Sequence, residues 1–134
     1  MLFTVFFERN NMTVNEIIKK AEAKQVLNIA VDSIIDYINE IDEMIFEDII
    51  STHEMPEGER PAEYIRHTGI NDSVTAPKRF CDMYVYYILS QVDIVNSDTK
   101  RYENDTALYQ QCLNEYSAYY NRTHMPIERN KISW

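Results

Sequence analysis

The chain has 134 residues, is 45% hydrophobic and carries a formal charge of −9 at pH 7. That length fits one domain with an ordinary core, and two glycines and four prolines are too few for a fold made of many tight turns. The charge is concentrated between Asp32 and Glu63, where eleven carboxylates face the single cation Arg60, and such a stretch repels phosphates and argues against a protein that grips nucleic acid in a groove.

The first seven residues, Met1 to Phe7, are apolar but too short to span a membrane, and they lack the basic flank and small-residue cleavage site of a secretory signal. Met12 follows at once, so residues 1–11 read as an over-extended start and translation is expected to begin at Met12. Thr13-Val14-Asn15-Glu16 is a capping box, in which the threonine hydroxyl and the glutamate carboxylate each satisfy a backbone N–H at a helix start. The helix it opens carries Val14, Ile17, Ile18 and Ala21 on one side and should end near Lys24. A second helix is predicted from about Ile29 or Val31 to Ile50. Ile34, Ile35, Ile38, Ile41, Ile45 and Ile49 form its apolar stripe, with Asp32, Asp36, Glu40, Glu43 and Glu47 opposite.

From His53 to Pro77 the periodicity dissolves, and Pro56, Gly58, Pro61 and Gly69 punctuate the segment. Tyr64-Ile65 and Ser73-Val74-Thr75 are expected to pair as a small hairpin in this long loop. A third helix is predicted over Lys78–Asn96, with Phe80, Met83, Tyr84, Tyr87, Ile88, Gln91 and Val95 on its apolar side. Asn96-Ser97-Asp98 supplies a stop and a new N-cap. The fourth helix should run from Thr99 to Arg122, about 35 Å, with Tyr102, Tyr109, Cys112, Leu113, Tyr116 and Tyr120 along one face. Pro126 ends it, and Ile127 to Trp134 form a polar tail. The fold class is mainly α: a small bundle of about four helices, with a long loop or small hairpin between helices two and three.

Little in the chain points to catalysis. Cys81 and Cys112 lack the spacing of a metal knuckle and read as small buried hydrophobes. His53-Glu54 begins like a zinc-protease motif, but Glu57 stands where the second histidine belongs and Pro56 breaks the helix. His67 and His124 stand alone, no serine sits in a nucleophile elbow, and no glycine-rich loop precedes a helix. The carboxylate pairs Asp36/Glu40 and Glu43/Glu47 lie on a face expected to be wet, where their pKa values would not be driven apart. No catalytic residue, metal ligand or cofactor is assigned, and no enzyme activity is expected.

Eight of the ten tyrosines lie between Tyr84 and Pro126, more aromatic helix surface than a small bundle needs for itself. Three segments carry a resemblance: Phe80-Cys-Asp-Met-Tyr-Val-Tyr-Tyr-Ile-Leu-Ser-Gln-Val-Asp93, then Arg101-Tyr-Glu-Asn-Asp-Thr-Ala-Leu-Tyr109, then Glu115-Tyr-Ser-Ala-Tyr-Tyr-Asn-Arg-Thr-His-Met-Pro126. With the helix ending Phe46-Glu-Asp-Ile-Ile-Ser-Thr-His53, they resemble the small head–tail connector proteins of tailed bacteriophages and prophages over most of residues 12–126. The loop from Glu54 to Ala76 is the least similar part.

The resemblance implies a structural virion protein of the neck, assembled in the bacterial host cytoplasm. Its subunits would form a ring under the portal protein, extend the DNA channel and present a platform for a tail or neck completion protein. Double-stranded DNA would pass through without sequence-specific binding, and no membrane is involved. A closed ring needs a heterologous interface, expected on helices two and four through Met44, Tyr109, Tyr116 and Tyr120. The tail residues Ile127, Ile132 and Trp134 are expected to dock on the portal or a neighbouring subunit. Two alternatives stand beside this reading: another small helical virion or host interaction protein, such as a tail completion factor, and a metal-dependent regulator built around His53, Glu54 and His67.

Overall fold

A computed structural model describes residues 11–50 and 64–123. Expectations for residues 1–10, His53, Glu54, His124 and the tail residues Ile127, Ile132 and Trp134 concern positions outside that range.

The described chain is mainly helical. It runs through β1 (Asn11–Thr13), α1 (Val14–Lys24), α2 (Val31–Asp48), β2 (Ser73–Pro77), a 3-10 turn (Lys78–Phe80), α3 (Cys81–Val95) and α4 (Thr99–Thr123). The start of α1 is as the capping box requires: Glu16 N donates to Thr13 Oγ1 at 3.3 Å, and Thr13 N donates to Glu16 Oε1 at 2.9 Å. Val14 N and Asn15 N, which no turn of helix can satisfy, donate to the carbonyls of Asp72 (2.9 Å) and Ile70 (2.8 Å). The helix start is thereby fastened to the chain just before β2.

β2 forms where Ser73-Val74-Thr75 was expected, but its partner is different. It pairs antiparallel with β1, Asn11 opposite Pro77 and Thr13 opposite Ser73, with a slip in register between them. Asn11 Nδ2 adds a bond to Val74 O at 2.8 Å. Tyr64-Ile65 makes no strand. The Tyr64 hydroxyl donates to Asn39 on α2 at 2.6 Å, which draws this segment onto the helix face and away from strand pairing.

All six isoleucines of the predicted α2 stripe are buried, and Asp32, Asp36, Glu40, Glu43 and Glu47 are exposed. α3 departs from a one-sided stripe. Cys81, Met83, Tyr84, Val85, Ile88, Leu89 and Val92 are all buried, because α3 packs against α1, α2 and α4 together. Val95, assigned to the apolar side from its spacing, is instead 54% exposed at the helix end. The turn to α4 closes with Ser97 N on Ile94 O (3.1 Å) and Asp98 N on Asp93 O (2.9 Å), the paired bonds of a Schellman motif. Asp98 then caps α4 by accepting from Arg101 N at 3.2 Å. The short turn lays α4 back along α3, and Tyr116 and Tyr120 complete the core from that side. Cys81 is buried, Cys112 is half-buried, and neither forms a disulfide. No helix among the described residues is long and apolar enough to cross a membrane.

Candidate functional site

Two polar side chains of α2, Asn39 and Asp42, sit in phase with the isoleucine stripe and are wholly buried. A buried carboxylate must be hydrogen-bonded or neutralised, and Asp42 receives three donors. Tyr84 Oη donates to Oδ1 at 2.5 Å, while His67 Nε2 (2.6 Å) and Thr75 N (3.2 Å) reach Oδ2. Tyr84 Oη in turn accepts from Ala76 N at 3.0 Å. Burial first, and then the Asp42 charge, hold the Tyr84 hydroxyl well above the usual phenol range, so it stays a donor. Asn39 clasps the backbone of His67 from both sides, accepting from His67 N at 2.7 Å and donating to His67 O at 3.1 Å. The network binds Tyr64, His67, Thr75 and Ala76 to α2 and α3. Each polar atom named here is occupied in holding the fold.

A second buried acid lies at the opposite end of α3. Asp93 is 1% exposed; Gln25 Nε2 reaches its Oδ1 at 3.4 Å, and its Oδ2 has no conventional donor. Asp105 on α4 faces it. Burial, followed by the hydrogen bond and the charge of Asp93, pushes the Asp105 carboxyl up to about 7, with Arg101 opposing and Asp98 adding to the rise. Below that pH the Asp105 carboxyl keeps its proton and can donate it toward Asp93.

On the surface, every charged side chain of α2 is acidic: Asp32, Asp36, Glu40, Glu43, Glu47 and Asp48 are exposed, with no lysine or arginine anywhere in the helix. Arg66 pairs with Asp36 at 3.1 Å, and the Tyr87 hydroxyl donates to Glu40. Elsewhere on the surface the Arg79 guanidinium lies 4.8 Å from the Phe80 ring centroid and 4.5 Å from that of Tyr119. Phe80 is itself braced edge-on by Tyr116, with ring centroids 5.2 Å apart. Arg79, Phe80, Glu115, Ala118 and Arg122 line an open groove there.

The four side chains expected at a subunit interface are placed unequally. Tyr116 and Tyr120 are 2% and 5% exposed and belong to the chain's own core, which corrects the expectation that they offer surface to a neighbour. Their rings fill the seam that α4 makes with α3 and the 3-10 turn, so folding uses them first. Tyr109 is half-buried against Tyr87, ring centroids 5.1 Å apart, and Met44 is half-buried at the edge of the core. His67, left as a lone histidine by the sequence, sits beside Asp42. Among the described residues no group of three His, Cys, Asp or Glu side chains is placed to hold a metal ion. Asn39, Asp42, Asp93 and Asp105 were missed by sequence reasoning, although each occupies an apolar phase of its helix.

The fold and these features define a small, mainly α bundle braced by buried acids, with surface faces of contrasting charge. Comparison with known proteins finds no matching family model, no matching characterised protein and no matching solved structure.

Proposed function

We propose that this chain is a structural protein of a phage neck, one subunit of a ring under the portal that continues the DNA channel toward the tail. The observation that carries the reading is the exposed face of α2, six carboxylates with no cation on the helix. A channel wall must let duplex DNA pass without holding it, and an acidic face repels phosphate at close range, within a Debye length of about 10 Å at 0.1 M salt. The resemblance of residues 12–126 to head–tail connectors supports the same role.

The test is a stop codon just after Met12 in the parent phage or prophage, followed by electron microscopy of the particles. DNA-filled capsids that leak, beside unattached tails, are the expected result. Normal tailed virions would overturn the reading and favour an interaction protein that acts elsewhere.

A further inference from the structure

We infer that the groove lined by Arg79 and Arg122 receives one edge of the α2 acidic face, the edge that carries Asp32 and Glu43, from a second copy of this chain in a head-to-tail contact, leaving the Glu40 and Glu47 edge to the channel. The inference deepens the proposed function, since it assigns the surfaces through which a ring would close. Arg79 is exposed yet fixed. Its guanidinium is stacked over the rings of Phe80 and Tyr119, which Tyr116 backs from the core. An arginine held against two aromatic rings has already lost part of its side-chain freedom, so it binds a carboxylate at reduced entropic cost. Among the described residues neither Arg79 nor Arg122 has an ion-pair partner, although Glu115 lines the same groove. Two unpaired guanidinium groups beside one carboxylate leave the groove positive, and its planar forks suit carboxylates.

The matching surface is on a different part of the same molecule. α2 presents Asp32, Asp36, Glu40, Glu43, Glu47 and Asp48 outward, and among these Glu43 and Asp32 have no hydrogen bond or ion pair among the described residues. The groove belongs to the 3-10 turn and the C-terminal half of α4. The most extensive packing of α4 is with α3, whereas α2 packs on α3, β2 and α1. The two surfaces are different patches, so their pairing between copies is heterologous and propagates around a ring or along a fibre. Charge complementarity at such a patch sets orientation and is weakened by salt.

Sedimentation of the full-length chain over a range of concentration and salt tests this, with Arg79→Glu, Arg122→Glu and Glu43→Arg variants checked for folding by circular dichroism. The wild type should associate at low salt and dissociate as salt rises. Either arginine reversal should weaken association about tenfold to hundredfold, as expected for a stacked arginine at a contact centre. Mixing Arg79→Glu with Glu43→Arg chains should restore assembly, because every junction then again joins opposite charges. A structural role for Arg79 would give no such rescue.

A wild type that stays monomeric, variants that associate unchanged, or a mixture that fails to assemble would each overturn the inference. Retention of duplex DNA that Arg79→Glu abolishes while self-association is unaltered would overturn it too, by assigning the groove to phosphate. The outcome is separable from the phage experiment. Tailless capsids with unchanged Arg79→Glu assembly would remove this contact and leave the neck role; tailed virions with charge-swap rescue would do the reverse.

Discussion

At Asp42 a carboxylate lies wholly out of water, and its cost is met by the hydroxyl of Tyr84, the ring of His67 and the amide of Thr75. The four residues come from α2, α3, β2 and the segment before it, so one side chain fixes the relative placement of all of them. Tyr84 matters most, because its hydroxyl both donates to Asp42 and accepts from Ala76 N. Tyr84→Phe keeps the buried ring but leaves a buried carboxylate oxygen and a buried amide short of one partner each. The expected loss is about 2–4 kcal/mol of stability, read as a lower urea midpoint. Tyr109→Phe is the control. Its hydroxyl makes no hydrogen bond among the described residues, and its removal should change stability by about 0.5 kcal/mol or less. Equal losses in the two variants would mean that the ring and not the hydroxyl of Tyr84 supports the fold.

At the scale of elements, the turn between α3 and α4 shows where local sequence decides structure and where it does not. Asn96-Ser97-Asp98 reads plainly as a stop and an N-cap, and both functions are present. What the residue names conceal is that Ser97 takes φ 56°, the left-handed region that glycine enters without strain. Ser97→Gly should therefore stabilise the chain by about 0.5–1 kcal/mol, raising the urea midpoint with the slope unchanged; a lower midpoint would show that the serine side chain has a role of its own. The long helices were legible for a different reason. The isoleucines of α2 recur every three or four residues, a period no strand can use, and Tyr102, Tyr109 and Tyr116 of α4 recur every second turn. The buried network was hidden by that very success. Asn39 and Asp42 stand in phase with Ile35, Ile38 and Ile45, as Asp105 does with Tyr109, Cys112 and Tyr116, and a stripe read for its apolar members passes over them. Their partners, His67 and Tyr64, come from a segment without periodicity, so spacing carries no trace of the pairing. Strand pairing was misjudged on similar grounds, because β1 is three residues long and lies against the capping box.

For the molecule as a whole, the pair Asp93–Asp105 joins the two longest-packed helices and makes global stability respond to pH. The groups facing Asp105 are Asp93 on α3, Asp98 in the turn and Arg101 on α4, and burial outweighs all of them in raising its pKa to about 7. An unfolded aspartate titrates near 3.9. Between these values the folded chain keeps a proton that the unfolded chain has released, so stability falls as pH rises from about 4 to about 7. The lowered carboxylates work in another range: Glu16, held by the Thr13 amide, and Asp72, held by the Thr68 and Gly69 amides, add stability above their unfolded pKa and lose it in acid. Raised values for Lys20, Cys112 and the buried tyrosines act only in alkali. Asp105→Asn isolates the pair, because the amide donates to Asp93 as the shared proton does but cannot ionise. The variant should unfold at nearly the wild-type temperature at pH 5 and be more stable by about 1–3 kcal/mol at pH 8. Parallel thermal curves for the two chains across this range would mean that Asp93 and Asp105 do not share a proton, and that the seam between α3 and α4 tolerates both charges.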